Sequence, residues 1–298
     1  MFSIDLSFKI EKIDTKDTQL AGIDLSIARL DLIHPIISGN KIFKLHHFFN
    51  ENRAENKQIV TFGGAFSNHI VATAFFANQH KKKSTAFIRG EKPKTLSHTL
   101  KACEEFGMNL IYLNRNDYRN LTLQSYENLP NEYKNEQIIP EGGFHNKGAL
   151  GASLIMENIK KEEPDYVVTA VGTATTLAGL LVNSNNIQIV GIPVLKNLLD
   201  LNDRLNYLLE NKSFNSPIIF DEYHFGGYAK MDETLIHFMN QFYAQTNIPT
   251  DFVYTGKMIY GVNDKIKKGF FKEGSKIIML HTGGLQGNLS LKNGTLIY

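Results

Sequence analysis

A recurring unit constrains this chain most: a short apolar run, a turn of glycine and small hydroxyl residues, then a helical pattern. QIVTFGG (58–64) leads into SNHIVATAFFANQH (67–80), STAFIRG (84–90) precedes TLSHTLKACEEFG (95–107), and DYVVTAVG (165–172) leads into TTLAGLLV (175–182). Further apolar runs stand at MNLIYLN (108–114), IQIVGIPV (187–194) and SKIIMLHTGG (275–284). Strand-length runs alternating with helices predict an α/β architecture with a mostly parallel sheet, because parallel neighbours need a crossover between them. No repeat of solenoid period and no low-complexity segment interrupts the pattern.

Two stretches break the alternation. IIPEGGFHNKGALG (138–151) is glycine-rich and separates two strand–helix sets, and 211–231 mixes Pro, Gly and aromatics as an irregular connection would. The expected organisation is a small lobe of residues 45–140 set inside a large lobe made of 1–44 and 141–298, within the reach of a 298-residue chain. A net charge of +2 gives no electrostatic footprint for nucleic acid or a membrane surface. The lone cysteine, Cys103, allows no internal disulfide and fits a reducing compartment. The opening MFSIDLSFKIEKIDT alternates apolar residues with Asp and Lys, which predicts a strand rather than a signal peptide. The apolar tract 167–182 is broken by Gly172, Gly179 and threonines, so it predicts strand, turn and helix rather than a membrane span. A cytoplasmic location follows as the expectation.

Chemistry enters with SGNKIFKL (38–45). Asn40 reads as an N-cap, which puts Lys41 and Lys44 on one face near the positive end of a helix, where cations are disfavoured. Two solvated lysines could tolerate that cost; an anion or a reactive carbonyl would exploit it. Three turns, GGAFSNH (63–69), VGTATT (171–176) and HTGG (281–284), lie where strand ends converge in open α/β sheets. VGTATT before an apolar helix offers N–H groups and hydroxyls suited to a phosphate, although geometry alone also makes such turns rich in Gly and Thr. The chain carries no G-x-x-x-x-G-K-[ST], no G-x-G-x-x-G after a strand and no G-x-S-x-G. His34, His46, His47 and His69 lack the spacing of a metal site.

In combination and in order, SGNKIFKL, GGAFSNH, IPEGGFHNKGALG, VGTATTLAGL, FGGYAKMDET, VYTGKMIYGV and HTGG resemble one family. It is the fold-type II pyridoxal-phosphate enzymes grouped as 1-aminocyclopropane-1-carboxylate deaminase and D-cysteine desulfhydrase, and the resemblance runs from about residue 30 to 284. It implies two open, twisted, mostly parallel sheets flanked by helices, as in the β subunit of tryptophan synthase. It also implies a homodimer with bound pyridoxal 5′-phosphate.

By the same resemblance, Lys41 forms the internal Schiff base and Lys44 approaches the phosphate. A Schiff-base lysine must spend time as free amine, which a cationic neighbour and partial burial promote. Thr173, Ala174, Thr175 and Thr176 make the phosphate cup, with Ala174 standing where glycine is usual. Asn68 meets the 3-oxygen of the pyridoxal ring, and Ser67 the substrate carboxylate or a proton in transit. His69 belongs to the desulfhydrase-like form S-N-H. Tyr228, Tyr254 and Thr282 face the small amino-acid substrate, and Thr255 faces the pyridine nitrogen. True cyclopropane deaminases carry glutamate at the position of Thr255 and leucine at that of Thr282. A neutral hydroxyl leaves the pyridine nitrogen largely unprotonated, which serves departure of a β-leaving group better than ring opening. The expected reaction is therefore β-elimination from D-cysteine to pyruvate, ammonia and sulfide. Deamination of 1-aminocyclopropane-1-carboxylate and a non-catalytic binding homologue are the alternatives. Departures stand at Phe43, where arginine is common, at Phe144, and in a shortened FGGYAK.

Overall fold

The computed structural model describes residues 5–50, 57–123 and 126–298. In chain order its main elements are β1 (Ile10–Ile13), α1 (Lys16–Leu20), β2 (Asp24–Ala28), α2 (Asn40–Asn50), β3 (Ile59–Gly64), α3 (Asn68–Gln79) and β4 (Ser84–Arg89). There follow α4 (His98–Glu105), β5 (Met108–Leu113), α5 (Arg115–Leu123), β6 (Gln137–Ile139), α6 (Asn146–Ser153), α7 (Ile155–Ile159) and β7 (Tyr166–Val171). The chain continues through α8 (Thr175–Val182), β8 (Gln188–Pro193), α9 (Leu201–Leu208), β9 (Ile218–Ile219), α10 (Glu233–Thr246), α11 (Thr255–Lys267) and β10 (Lys276–Leu280).

These strands build two sheets. One has six strands in the order β1-β2-β10-β7-β8-β9, parallel throughout except for β1 against β2. The other has four, in the order β5-β4-β3-β6, and is wholly parallel. The fold is thus mixed α/β with two mostly parallel sheets flanked by helices, as expected. The first sheet takes strands from both ends of the chain, while every strand of the second lies within residues 59–139. The lobe boundary expected at 44/45 falls within α2.

Strand order identifies where a ligand would sit. In the small sheet the chain steps outward from β3 to β4 and β5, then returns to the other side of β3 as β6. In the large sheet it steps from β7 to β8 and β9, and returns beside β7 as β10. Each reversal opens a crevice at the carboxyl end of its central strand. The motifs GGAFSNH and VGTATT are the turns that leave those two strands.

Between the sheets, α2, α6 and α8 pack closely enough to exclude a Cβ. A Cβ on Gly151 of α6 would come within 2.0 Å of Phe43 O on α2, and one on Gly179 of α8 within 2.5 Å of Ala149 O. Gly151 and Gly179 therefore serve helix contact, and they sit beside a core that includes Phe43, Leu45, Ala152, Leu177 and Ile278. Close-packed helices of this kind fix the lysine-bearing α2 against the turn before α8.

The helix expected at 175–182 is α8, and the expected strands agree with the observed ones to within a few residues. The amino-terminal strand is shorter than its pattern: β1 covers Ile10–Ile13, and the first four residues lie outside the described ones. The irregular segment 211–231 contains the two-residue β9 and a 3₁₀ turn at Asp221–Tyr223. Asn40 is not a flanking N-cap but the first residue of α2, because its side chain is committed elsewhere. The tract 167–182 is β7, turn and α8, and no described helix is long and apolar enough to cross a membrane.

Candidate active site

A cavity of about 810 Å³ lies where the turns after β3, β6, β7 and β10 converge. Lys41 enters it from the first turn of α2. The approach depends on Gly39, which has φ +73° and whose Cβ would fall 1.9 Å from Thr282 O. Without a Cβ, SGNK lies directly on HTGG, and Asn40 N–H donates to Thr282 O at 3.3 Å. Asn40 then ties the lysine to the threonine turn: its Nδ2 donates to Thr176 Oγ1 (2.8 Å), and its Oδ1 accepts from Lys41 Nζ (2.6 Å).

Desolvation sets the charge state of this amine. Burial lowers the Lys41 pKa from 10.5 to about 8, against the opposing pull of the Asp251 carboxylate. Burial, with the Lys41 charge adding to it, pushes Lys44 well below its ordinary value, and its Nζ donates to Gly142 O at 3.3 Å. The two cations near a helix start are therefore partly desolvated amines facing a cavity, not solvated surface groups.

Opposite them stands the turn 173–176. The N–H groups of Thr173, Ala174, Thr175 and Thr176 have no protein acceptor among the described residues, as at the first turn of any helix, and such groups can hold an anion. Ala174 adopts φ +68°, the left-handed conformation that glycine favours. The hydroxyls of Thr173 and Thr175 lie 2.9 Å apart. Thr173, Ala174 and Thr176 line the cavity, whereas Thr175 is fully buried behind them.

The small sheet contributes Ser67, Asn68 and His69. Ser67 Oγ accepts from Ile70 N–H at 3.4 Å and so caps α3. Asn68 Oδ1 accepts from Gln286 Nε2. Burial, with Lys41 and Lys44 adding to it, lowers His69 to about 3, so its ring is neutral. Its Nε2 lies 3.0 Å from Thr61 Oγ1, and its Nδ1 meets no partner of hydrogen-bond geometry among the described residues. Tyr254 precedes α11, and its hydroxyl donates to that of Tyr228 at 3.4 Å. Burial holds the Tyr254 hydroxyl protonated by raising its pKa well above 10.0. Thr282 completes the wall.

Thr255 is placed differently from the expectation that it faces a ligand. It is fully buried and absent from the cavity wall. Its hydroxyl donates to Asp251 Oδ1 (2.7 Å) and accepts from Asp251 N–H (2.8 Å), which closes a local ring at the start of α11. Asp251 itself lines the cavity and also accepts the N–H groups of Val253, Tyr254 and Thr255 at 2.8–2.9 Å. Sequence reasoning passed over it, though an aspartate four residues before a helix-opening threonine was an available capping signal. Arg89, Glu141 and Arg204 also line the cavity and were not foreseen. Arg89 and Glu141 lie 3.8 Å apart, and Arg204 Nη1 donates to Gly172 O at 3.4 Å. The departures at Phe43 and Phe144 fall outside the wall: Phe43 is buried edge-on against Phe8, and Phe144 stacks on Tyr207.

Residues 15–283 match the family described as pyridoxal-phosphate dependent enzyme. The chain belongs to that family. Among its relatives, a Pyrococcus abyssi protein provisionally named 1-aminocyclopropane-1-carboxylate deaminase is 31% identical, covering 89% of this chain and 86% of its own. The bifunctional D-cysteine desulfhydrase/1-aminocyclopropane-1-carboxylate deaminase of Arabidopsis thaliana mitochondria is 28% identical, over 89% and 73%. A crystal structure of an ACC deaminase homologue superposes with TM-score 0.80 at 28% identity, over 96% of this chain and 92% of the other.

The cofactor of this pyridoxal-phosphate enzyme family suits the residues present. An amine brought near neutrality, unclaimed N–H groups at a helix start, and a second lysine at the same cavity match an aldehyde that carries a phosphate.

Proposed function

We propose that this protein is a pyridoxal-phosphate-dependent lyase or deaminase of small amino acids, with β-elimination from D-cysteine to pyruvate, ammonia and sulfide as its reaction. One observation carries the proposal: a single cavity joins Lys41, the 173–176 turn, Ser67, Asn68 and the Tyr228–Tyr254 pair. When bound, pyridoxal phosphate supplies an aldehyde for amines and a ring that accepts electrons from a bond broken at Cα. The chain's own contribution divides among these residues. The N–H groups of 173–176 and the α8 amino terminus hold the phosphate, with Lys44 beside them. Ser67 and the first N–H groups of α3 receive the substrate carboxylate. Lys41, with a pKa near 8, is basic enough to take a proton from Cα and neutral often enough to do so. Tyr254 keeps its proton and would donate a hydrogen bond to the departing sulfur.

The choice of D-cysteine draws on the sequence resemblance and on Thr282 in the wall; Thr255, buried behind the wall, adds nothing to it. A second reading, deamination of 1-aminocyclopropane-1-carboxylate, draws on Asp251, whose carboxylate supplies the wall with a negative charge that Thr255 does not. We extend the proposal to a homodimer, on the strength of the sequence resemblance, and to the cytoplasm, on the single cysteine and the strand-like opening pattern. Purified protein loaded with cofactor should release sulfide and pyruvate from D-cysteine, or pyruvate from β-chloroalanine, and Lys41→Ala should release neither. Formation of 2-oxobutyrate from the cyclopropane with no sulfide would select the second reading. Normal cofactor uptake with no turnover of any of these would leave a binding protein and end both.

A further inference from the structure

Lys257 is fully buried yet lies outside the cavity wall, and the carboxylates that oppose its desolvation are those of Asp251 and Asp232. Its Nζ donates to two main-chain carbonyls of one loop, His224 O at 2.9 Å and Gly227 O at 2.8 Å. A buried lysine is costly, and an apolar chain of the same length would fill the space. What the ammonium does here is tie together the two ends of a tight turn.

That turn needs tying. Phe225, Gly226, Gly227 and Ala229 all have positive φ, so much of the segment sits in conformations that L-residues adopt reluctantly. Its internal bonds are few: Gly227 N–H to His224 O (3.0 Å), Lys230 N–H to Gly227 O (3.1 Å), and Gly226 N–H to His224 Nδ1 (3.0 Å). The residue after Gly227 is Tyr228, which is 48% exposed, lines the cavity and accepts from the Tyr254 hydroxyl. Tyr254 opens the helix on which Lys257 stands, and Asp251 fixes the start of that helix through three N–H bonds. One helix start therefore sets both hydroxyls, Tyr254 through the chain and Tyr228 through the lysine.

We propose that Lys257 is a positioning residue that holds Tyr228 at the mouth of the cavity, and so governs how the amino-acid substrate is received. This rests on the function proposed above for the catalytic part only; the loop geometry stands apart from it. The test uses the full-length, cofactor-loaded protein and Lys257→Met. Without substrate, hydrogen exchange in residues 224–230 should accelerate about tenfold or more, as expected on losing bonds to a buried ammonium, while residues 173–182 stay protected. With a substrate the wild type turns over, KM should rise about fivefold or more with kcat within about twofold, the pattern of lost uniform binding. Tyr228→Phe should raise KM as well, and the double variant should be no worse than the sum of the singles would require, falling short of additivity. Unchanged exchange in 224–230, or additive effects with kcat falling at constant KM, would overturn the assignment. Should Lys257→Met not fold, Lys257→Gln, which keeps two N–H donors on a shorter arm, must show a smaller acceleration than Tyr228-loop release predicts but more than wild type. Because exchange needs no turnover, an inactive wild type would sink the proposed reaction and leave the loop test decisive.

Discussion

At the scale of single residues, desolvation decides what Lys41 can do. Its pKa is lowered to about 8 by burial, with Asp251 opposing. A lysine depressed in the folded state binds fewer protons than in the unfolded chain between about pH 8 and 10.5, so this group's destabilising effect is full below about 8 and fades as pH rises toward 10.5. Lys257, lowered to about 8 chiefly by burial, acts in the same window and direction. In the apoprotein, trapping of an aldehyde at Lys41 by borohydride should rise with a midpoint near pH 8, read by mass spectrometry; a midpoint near 10.5 would mean the amine is solvated. Ala174 poses a different local question. Its φ of +68° costs an L-residue roughly 1–2 kcal/mol, more than the entropy penalty of placing glycine there. Ala174→Gly should therefore raise stability by up to about 1 kcal/mol in urea unfolding, without loss of cofactor affinity. That glycine is usual at this position was legible in the motif; the reason for it, a left-handed turn at the head of α8, was not, because φ is not written in composition.

At the scale of elements, the buried parallel strands were the most legible part, since both of their faces are covered and they read as unbroken apolar runs. The helices α9, α10 and α11 were not marked out. In α11, TGKMIYGVNDKIK carries two glycines, which weaken a helical pattern, yet Gly256 is pressed against Met239 and Asp251 and Gly261 against Tyr223. Asn40 was misplaced by one position because its partner, Thr176, is 136 residues away and no local rule could supply it. Gly39 is where element packing can be separated from backbone strain. Gly39 and Gly107 have φ of +73° and +77°, but a Cβ at 107 would meet nothing within 4 Å, whereas at 39 it would strike Thr282 O. Gly107→Ala should cost about 1–2 kcal/mol from strain alone. Gly39→Ala should cost roughly 1–3 kcal/mol beyond that and also weaken cofactor binding, because α2 must move off the HTGG turn and take Lys41 with it. Equal losses in chemical unfolding and unchanged cofactor affinity would show that the SGNK–HTGG contact does not matter.

At the scale of the whole molecule, the cavity wall is shared by two sheets whose strand orders each reverse beside it. Lys41 and Lys44 come from α2, Ser67 to His69 from the small sheet, and Thr173, Ala174, Thr176 and Thr282 from the large one. The ordered motifs made that convergence legible from sequence, whereas Glu141, Arg204 and Asp251 join it from three unrelated elements with no common signature. A ligand held at such a junction binds the folded arrangement of both sheets and neither sheet alone. It must then stabilise them together, by about 2.7 kcal/mol at a free concentration one hundred times its dissociation constant. Pyridoxal phosphate added to apoprotein should accordingly raise the thermal midpoint and sharpen the transition, with both effects growing with concentration. Lys41→Ala should keep the phosphate-directed part of the shift and lose the part that resists dialysis. If the cofactor instead raised a midpoint belonging to one sheet only, as reported by hydrogen exchange in β3 and β7 separately, the two crevices would be independent and the cavity between them would not be a single site.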